Sequence, residues 1–288
     1  MAGTGEGRVP KGLKFDEIGR WSEVKLDIVR AYAVPYSRIM TSQGFCHLYI
    51  DAFAGAGLHI SKATGEFVLG SPLNALAVEP PFCECHFVDL DRGRATHLRE
   101  RATDAVAGRS NAPDVFVYEG DCNHVLLDSV FPRARYEDRH RALCLVDPYG
   151  LDLDWSVLLR AGQMRSIDLF LNFPIMDMNR NALWRHPEGV ADADIARMTR
   201  FWGDESWREA AYSESLSLFG PQDEKTNNQA IADAFRQRLQ EVAGFAYVPR
   251  PIPMRNSNKA VVYYLFFASP AKPGGKIAEY LFGKYGRG

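Results

Sequence analysis

Five short apolar runs in this chain end in polar residues of a kind that can hold a ligand. The first, His47-Leu48-Tyr49-Ile50-Asp51-Ala52-Phe53-Ala54-Gly55-Ala56-Gly57, is a strand-like run that ends in Asp51 and turns through two glycines. Glycines there let backbone approach a ligand at the carboxyl end of a parallel strand. A dinucleotide turn of the G-x-G-x-x-G kind needs a third glycine where Ile60 stands, which counts against nicotinamide chemistry. Taken alone, the glycines fit an ordinary strand-to-helix turn equally well. The other runs end in Asp89-Leu90-Asp91, in Glu119-Gly120-Asp121-Cys122, in Asp147-Pro148-Tyr149-Gly150 and in Asn172-Phe173-Pro174. Carboxylates and an amide in these places can accept hydrogen bonds from hydroxyl or amino groups. A carboxylate beside an aromatic, as at Asp147 and Tyr149, has no packing reason to stand at the mouth of a sheet.

The elements that must position these groups alternate. His47–Phe53, Cys85–Val88, Val115–Tyr118, Leu143–Val146 and Asp168–Phe173 are short β-rich runs, with helical stretches such as Arg92–Ala107 and Asn123–Val130 between them. Such alternation implies an α/β domain with a mostly parallel sheet, right-handed crossovers and helices on both faces. An amphipathic helix from Ser22 to Met40, which Ser22 could cap, precedes the first strand. Residues 177–242 read as a helical insertion anchored by Trp184, Trp202 and Trp207, with a helix over Gln229–Val242. Phe245–Pro251 and Ala260–Ser269 then read as a terminal hairpin. The expected organisation is a flexible tail over residues 1–20 and a single domain over 21–288.

With 46% hydrophobic and 24% charged residues in 288, the chain reads as an ordinary globular protein. It has no apolar run long enough to span a membrane. The start of the chain lacks the apolar segment of a secretory signal, so a cytoplasmic protein is expected. Cys46, Cys83, Cys85, Cys122 and Cys144 read mostly as reduced core thiols. Cys83-Glu84-Cys85-His86 resembles half a zinc site without a second half, so no metal is expected. A net charge of −2 argues against nucleic-acid binding by bulk electrostatics. From Phe245 onward, however, seven bases face one acid, Glu279. That bias suits either a solvated surface or a phosphate-holding face.

Asp51-Ala52-Phe53-Ala54-Gly55-Ala56-Gly57 resembles motif I of class I S-adenosylmethionine (SAM) methyltransferases, in the D-x-F-x-G-x-G form of many nucleic-acid methylases. Together with Lys25, Gly70-Ser71-Pro72, Gly120-Asp121, Asp147-Pro148-Tyr149-Gly150-Leu151, Asn172-Phe173-Pro174, Arg180, the Tyr263–Ala268 strand and Gly275, the chain resembles the three-Cys-motif partner family. The resemblance implies a Rossmann-like class I methyltransferase fold with a seven-stranded, mostly parallel sheet and an antiparallel last strand. It implies S-adenosyl-L-methionine as cofactor and a three-cysteine, radical-SAM-like protein as partner. On this reading Asp51, Phe53, Ala54, Gly55 and Gly57 hold the methionine end of the cofactor. Asp89 holds the ribose, while Asp121 and the Cys122 N–H hold the adenine. Ser71 presents a hydroxyl to the methionine end, caps a helix that has Pro72 in its first turn, or does both. Asp147, Pro148, Tyr149 and Asn172 form the catalytic end, with Phe173 a further substrate wall. Lys25 and Arg180 neutralise the cofactor carboxylate or a substrate phosphate. Gly120-Asp121 alone also fits a surface turn, and Asn172 a structural amide.

The sequence departs from exocyclic-amine methylases, which carry [DNS]-P-P-[YFW]. Here the second proline is missing and the aromatic comes one position early. The leading expectation is a SAM-dependent methyltransferase acting on DNA or RNA. The alternative is a SAM-binding scaffold of the iron–sulfur partner, with the Asn179–Arg208 segment as docking surface.

Overall fold

The computed structural model describes residues 16–217 and 220–286. It opens with β1 (Asp16–Ile18), α1 (Arg20–Ser42) and β2 (Cys46–Asp51). A small hairpin, β3 (Leu58–Ser61) and β4 (Phe67–Leu69), precedes α2 (Ser71–Leu76). The alternation continues through β5 (Glu84–Asp89), α3 (Arg92–Val106), β6 (Asp114–Glu119), α4 (Cys122–Val125), β7 (His140–Val146), α5 (Trp155–Met164) and β8 (Ile167–Phe173). Then come α6 (Ile175–Asn181), α7 (Asp192–Trp202), α8 (Trp207–Ala211), β9 (Tyr212–Ser217), β10 (Gly220–Lys225) and α9 (Asn228–Glu241). The chain closes with β11 (Ile252–Arg255), β12 (Val261–Ala268) and α10 (Lys272–Tyr285).

Seven strands form the main sheet in the order β11-β12-β8-β7-β2-β5-β6. β12 runs antiparallel to both of its neighbours, and the remaining pairings are parallel. All seven residues of β8 are buried, as expected of a strand covered on both faces. One face packs α1, α2, α3 and α10 through residues such as Ile28, Ala75, Leu98 and Ala278. The other packs α5, α7, α8 and α9 through Val157, Phe201, Trp207 and Phe235. From β2 the chain builds outward in one direction through β5 and β6, then returns to the other side for β7 and β8. The order reverses between β2 and β7, and ligands of open α/β sheets bind outside the carboxyl ends at such a point.

Four expectations need correction. Residues 16–20 are not a flexible tail: β1 pairs in parallel with β3, and α1 begins at Arg20. Asp16 is held there by the Tyr149 hydroxyl at 2.8 Å and by Arg94 at 3.5 Å; residues 1–15 lie outside the described residues. The 177–242 segment is not wholly helical, because β9 and β10 pair antiparallel within it. Trp202 and Trp207 are core anchors, whereas Trp184 is 43% exposed. The first strand of the terminal pair is displaced to Ile252–Arg255, an edge strand that accommodates Pro253 within its pairing to β12. The stretch expected as one helix from Asn123 is the single turn of α4 followed by a wider turn over Leu126–Val130. Among the described residues no helix is long and apolar enough to cross a membrane.

Gly162 sets how closely α5 meets the chain after α9, because a Cβ there would lie 2.0 Å from the Ala243 carbonyl oxygen. Gly162→Ala is therefore expected to lower unfolding free energy by about 1–3 kcal/mol, in the range of overpacked cores. Chemical denaturation reads this directly; an unchanged midpoint would mean that α5 shifts freely.

Candidate active site

Three adjacent strands, β7, β2 and β5, deliver the carboxylates Asp147, Asp51 and Asp89 to one crevice. Each is held differently. Asp51 is fully buried; it accepts from the Ser71 hydroxyl at 2.5 Å and from the Phe53 N–H at 3.3 Å. Burial pushes its carboxyl up to about 7, opposed by the Ser71 bond and reinforced by the nearby Asp147 charge. Asp89 accepts from the Gly55 N–H at 2.9 Å and from the Asp91 N–H at 2.8 Å. It thereby ties the glycine loop to the end of β5, and each of its oxygens keeps a second lone pair. Asp147 is paired with the buried ammonium of Lys25, delivered by the first turns of α1.

Backbone conformation explains the glycines. Gly55 has φ +62° and a Cβ added there would meet nothing within 4 Å, so the loop leaves an open cradle on its ligand side. Gly57 has φ +81°, and a Cβ would press within 2.9 Å of Leu98. After Gly57 the chain does not enter a helix at once. The β3–β4 hairpin intervenes, and Gly70 returns to donate its N–H to the Gly57 carbonyl at 2.8 Å. Gly70 occupies the cap position of α2. Ser71 is therefore not the cap, and its hydroxyl serves Asp51 instead.

A cleft of about 340 Å³ opens over these strand ends. Of the expected site residues, Lys25, Phe53, Ala54, Gly55, Ser71, Asp147, Pro148, Tyr149 and Asn172 line it. Asp51, Asp89 and Gly57 stand immediately behind that lining, through the contacts above. The Asn172 amide donates to the Pro148 carbonyl at 3.5 Å, while its Oδ1 is buried without a partner. Tyr149 is 69% exposed at the mouth, and the Arg94 guanidinium lies 6.0 Å from its ring. Although its ring is exposed, desolvation at its hydroxyl end and the hydrogen bond to Asp16 hold the Tyr149 phenol well above its usual range.

Phe173 is not a substrate wall. It neighbours Asn172 on a strand, so its side chain points to the opposite face. There it is fully buried against Phe201, Phe235 and Phe266. Arg180 lies exposed on α6, away from the cleft lining. Lys25 is paired with Asp147 and is not a free anion-binding cation. Asp121 and Cys122 stand one strand farther out, at the end of β6. One Asp121 oxygen caps α4 by accepting from the Asn123 N–H at 2.9 Å; the Cys122 thiol is buried, which pushes it up to about 12.

Residues absent from the sequence reading complete the cleft. Trp21 and Tyr263 form one wall, with the Tyr263 hydroxyl donating to the Trp21 carbonyl at 3.1 Å. His59, from β3, contributes a ring whose Nδ1 is buried and unpartnered. Burial, then the Lys25 charge, depresses its pKa, so the imidazole is neutral at pH 7. Only its position shortly after the glycine loop could have pointed to it. The lining therefore offers acceptors at Asn172 and Asp147, and at His59 a ring nitrogen that donates or accepts according to its tautomer. Among the described residues no group of three metal-binding side chains forms.

Strand order and cleft position together define a Rossmann-like α/β fold with a seven-stranded, mostly parallel sheet and a ligand cleft at its reversal point. No family model matches the chain, and no curated protein matches it. Among solved structures, a Legionella pneumophila protein is similar at 11% identity over 91% of this chain and 92% of that one, with a TM-score of 0.48. The methyltransferase domain of a bacterial Hen1 is similar at 9% identity over 87% and 100%, with a TM-score of 0.44. Magnesium protoporphyrin IX methyltransferase from Synechocystis, solved with bound SAH, is similar at 11% identity over 86% and 83%, with a TM-score of 0.40.

The buried Asp51 carboxyl has a stability signature. Its folded pKa of about 7 lies above the ordinary 3.8, so the folded state retains a proton that the unfolded state releases. The neutral carboxyl's contribution is thus complete below the ordinary pKa and is lost as pH rises through the folded one. Asp168, pushed up to about 6, acts in the same direction at the start of β8. Asp51→Asn should gain on the wild type as pH rises from 4 to 7. Parallel stability–pH curves from denaturant melts would show that Asp51 is ionised throughout.

Proposed function

We propose that the cleft binds S-adenosyl-L-methionine and that the chain is a SAM-dependent methyltransferase. The observation that carries this reading is the meeting, at the sheet's reversal point, of the open Gly55 cradle with three differently held carboxylates. The donor chemistry fits the cofactor: its ammonium and sulfonium are cationic, and the lining offers acceptors at Asn172 and Asp147. Phe53, Ala54 and Gly55 would hold the methionine end, with Asp51 and Ser71 bracing the loop. Asp89, with lone pairs to spare, would take the ribose hydroxyls. The Asp121 oxygen that does not cap α4, which lies 3.9 Å from the His124 ring, and the Cys122 N–H would take the adenine. When bound, the cofactor supplies an electrophilic methyl group. The protein's part is then mainly positioning.

Asp147, paired with Lys25, would orient the acceptor's N–H or O–H and receive its proton. Asn172 Oδ1, buried without a partner, would accept a second hydrogen from the same group or from the cofactor ammonium. Trp21, Tyr149 and Tyr263 line a mouth suited to a planar acceptor. We further propose a nucleic-acid base as that acceptor. Arg255 and Lys259, on the hairpin that leads into Val262 and Tyr263, provide phosphate contacts beside the cleft. Lys272 and Lys276 do not contribute, because α10 starts at the opposite end of the sheet. A three-cysteine partner protein would dock on the Asn179–Arg208 segment, where Trp184 is exposed.

The Lys25–Asp147 pairing also favours a second reading, a SAM-binding scaffold whose acid is locked. Calorimetry with SAM and S-adenosylhomocysteine, followed by methyl-label transfer to DNA, tRNA, rRNA and protein pools, separates the two. Asp147→Asn should bind S-adenosylhomocysteine as the wild type does and lose about 100-fold or more in transfer, the scale of a lost acid–base group. Absence of binding would sink both readings. Binding without transfer to any pool, even with the partner protein present, would select the scaffold.

A further inference from the structure

A second cavity, of about 300 Å³, lies at the opposite end of the sheet from the cleft. It is enclosed by the later turns of α1, the starts of β7 and β8, and the first turns of α10. Its walls are aromatic, with Tyr32, Tyr36, Phe45 and Tyr136 among them. Arg141 lies between two of these rings, 3.9 Å from the Tyr136 centroid and 4.4 Å from that of Phe45. It donates to the Tyr136 and His140 carbonyls at 3.2 and 2.6 Å.

The charge of this cavity is unbalanced. Neither Arg141 nor the exposed Arg165, which also lines it, pairs with a carboxylate among the described residues. The one acid in the lining, Asp168, is buried and already accepts from Tyr32 and Ser269, each at 2.6 Å. Arg141 lies within electrostatic reach of that carboxyl, so the two cations of the lining outnumber its one acid. The Tyr36 hydroxyl is buried, has no hydrogen-bond partner, and lies within electrostatic reach of both Asp168 and Arg141. A buried hydroxyl left unpaired costs stability, so its retention here asks for a partner.

We propose that this cavity is a second small-molecule site, and that its ligand is a small organic anion carried on a planar ring. The ring packs against the apolar lining of Ile39, Met40 and Ile277, and the anionic group meets Arg165, Arg141 and the Tyr36 hydroxyl. The site does not depend on the reading of the cleft. It shares three elements with it all the same: α1 carries Lys25 and Tyr36, β7 leads from Arg141 toward Asp147, and β8 leads from Asp168 to Asn172.

Calorimetric titration of the full chain with benzoate, phenyl phosphate and the neutral benzamide tests this. At least one anion should saturate, with benzamide about tenfold weaker or more, the scale of a charge-assisted hydrogen bond. Arg165→Ala should weaken the anion about tenfold by the same reasoning. Tyr36→Phe should weaken it several-fold while leaving the melting temperature of the free protein equal or higher, as removal of an unpaired buried hydroxyl does. Which of the two anions binds distinguishes a carboxylate from a phosphate ester. The proposal fails if neither anion saturates, or if benzamide matches them. It fails equally if both variants bind like the wild type, or if S-adenosylhomocysteine displaces the anion.

Discussion

Three neighbouring parallel strands end in carboxylates that cannot all stay charged and unpaired in one crevice, and the upper half of the molecule is arranged around that constraint. Like charges close together in low dielectric are costly, and each acid escapes the cost by a different route. Asp51 is buried and driven toward the neutral form. Asp89 spends two lone pairs on backbone N–H groups of the glycine loop and of the turn after β5. Asp147 takes the ammonium of Lys25, and the pairing explains why a lysine on α1 is buried at all. Burying such an ion pair earns little net stability, so its retention points to function more than to folding.

The same constraint shapes what surrounds the acids. Ser71 has to reach Asp51, which brings the start of α2 back to the loop through Gly70 after the β3–β4 excursion. Gly70 leaves no room for a side chain, since a Cβ would sit 2.9 Å from the Gly57 carbonyl oxygen. The excursion in turn gives β1 a strand to pair with, so that Asp16 meets Tyr149 at the mouth. One consequence of holding Asp51 is therefore a wall for the cleft.

Much of this was legible in the residues. The α/β alternation, the parallel sheet and the acids at successive strand ends follow from apolar runs whose ends are polar, and Gly55 and Asp89 do meet. Other features lacked a local signal. Phe173 and Asn172 are adjacent in a strand buried on both faces, where no apolar–polar alternation tells one side from the other; Asn172 faces the cleft and Phe173 the core. Arg180 resembled a site residue by family pattern, yet α6 carries it away from the crevice. His59, Trp21 and Tyr263 enter through a hairpin, the first turn of α1 and an antiparallel strand, whose meeting is a tertiary fact. A terminal pair with an antiparallel last strand was anticipated, but its first strand lies farther along the chain, at Ile252–Arg255.

The central claim is that the cofactor proposed for this protein occupies the crevice built on Asp51, Asp89 and Asp147. Amide hydrogen exchange with and without S-adenosylhomocysteine tests it most directly. The account predicts new protection confined to the Phe53–Gly57 loop, the turn after β5 and the start of α4, with the first turns of α10 unchanged. Protection that spares the glycine loop, or that falls mainly around Tyr36 and α10, would contradict it.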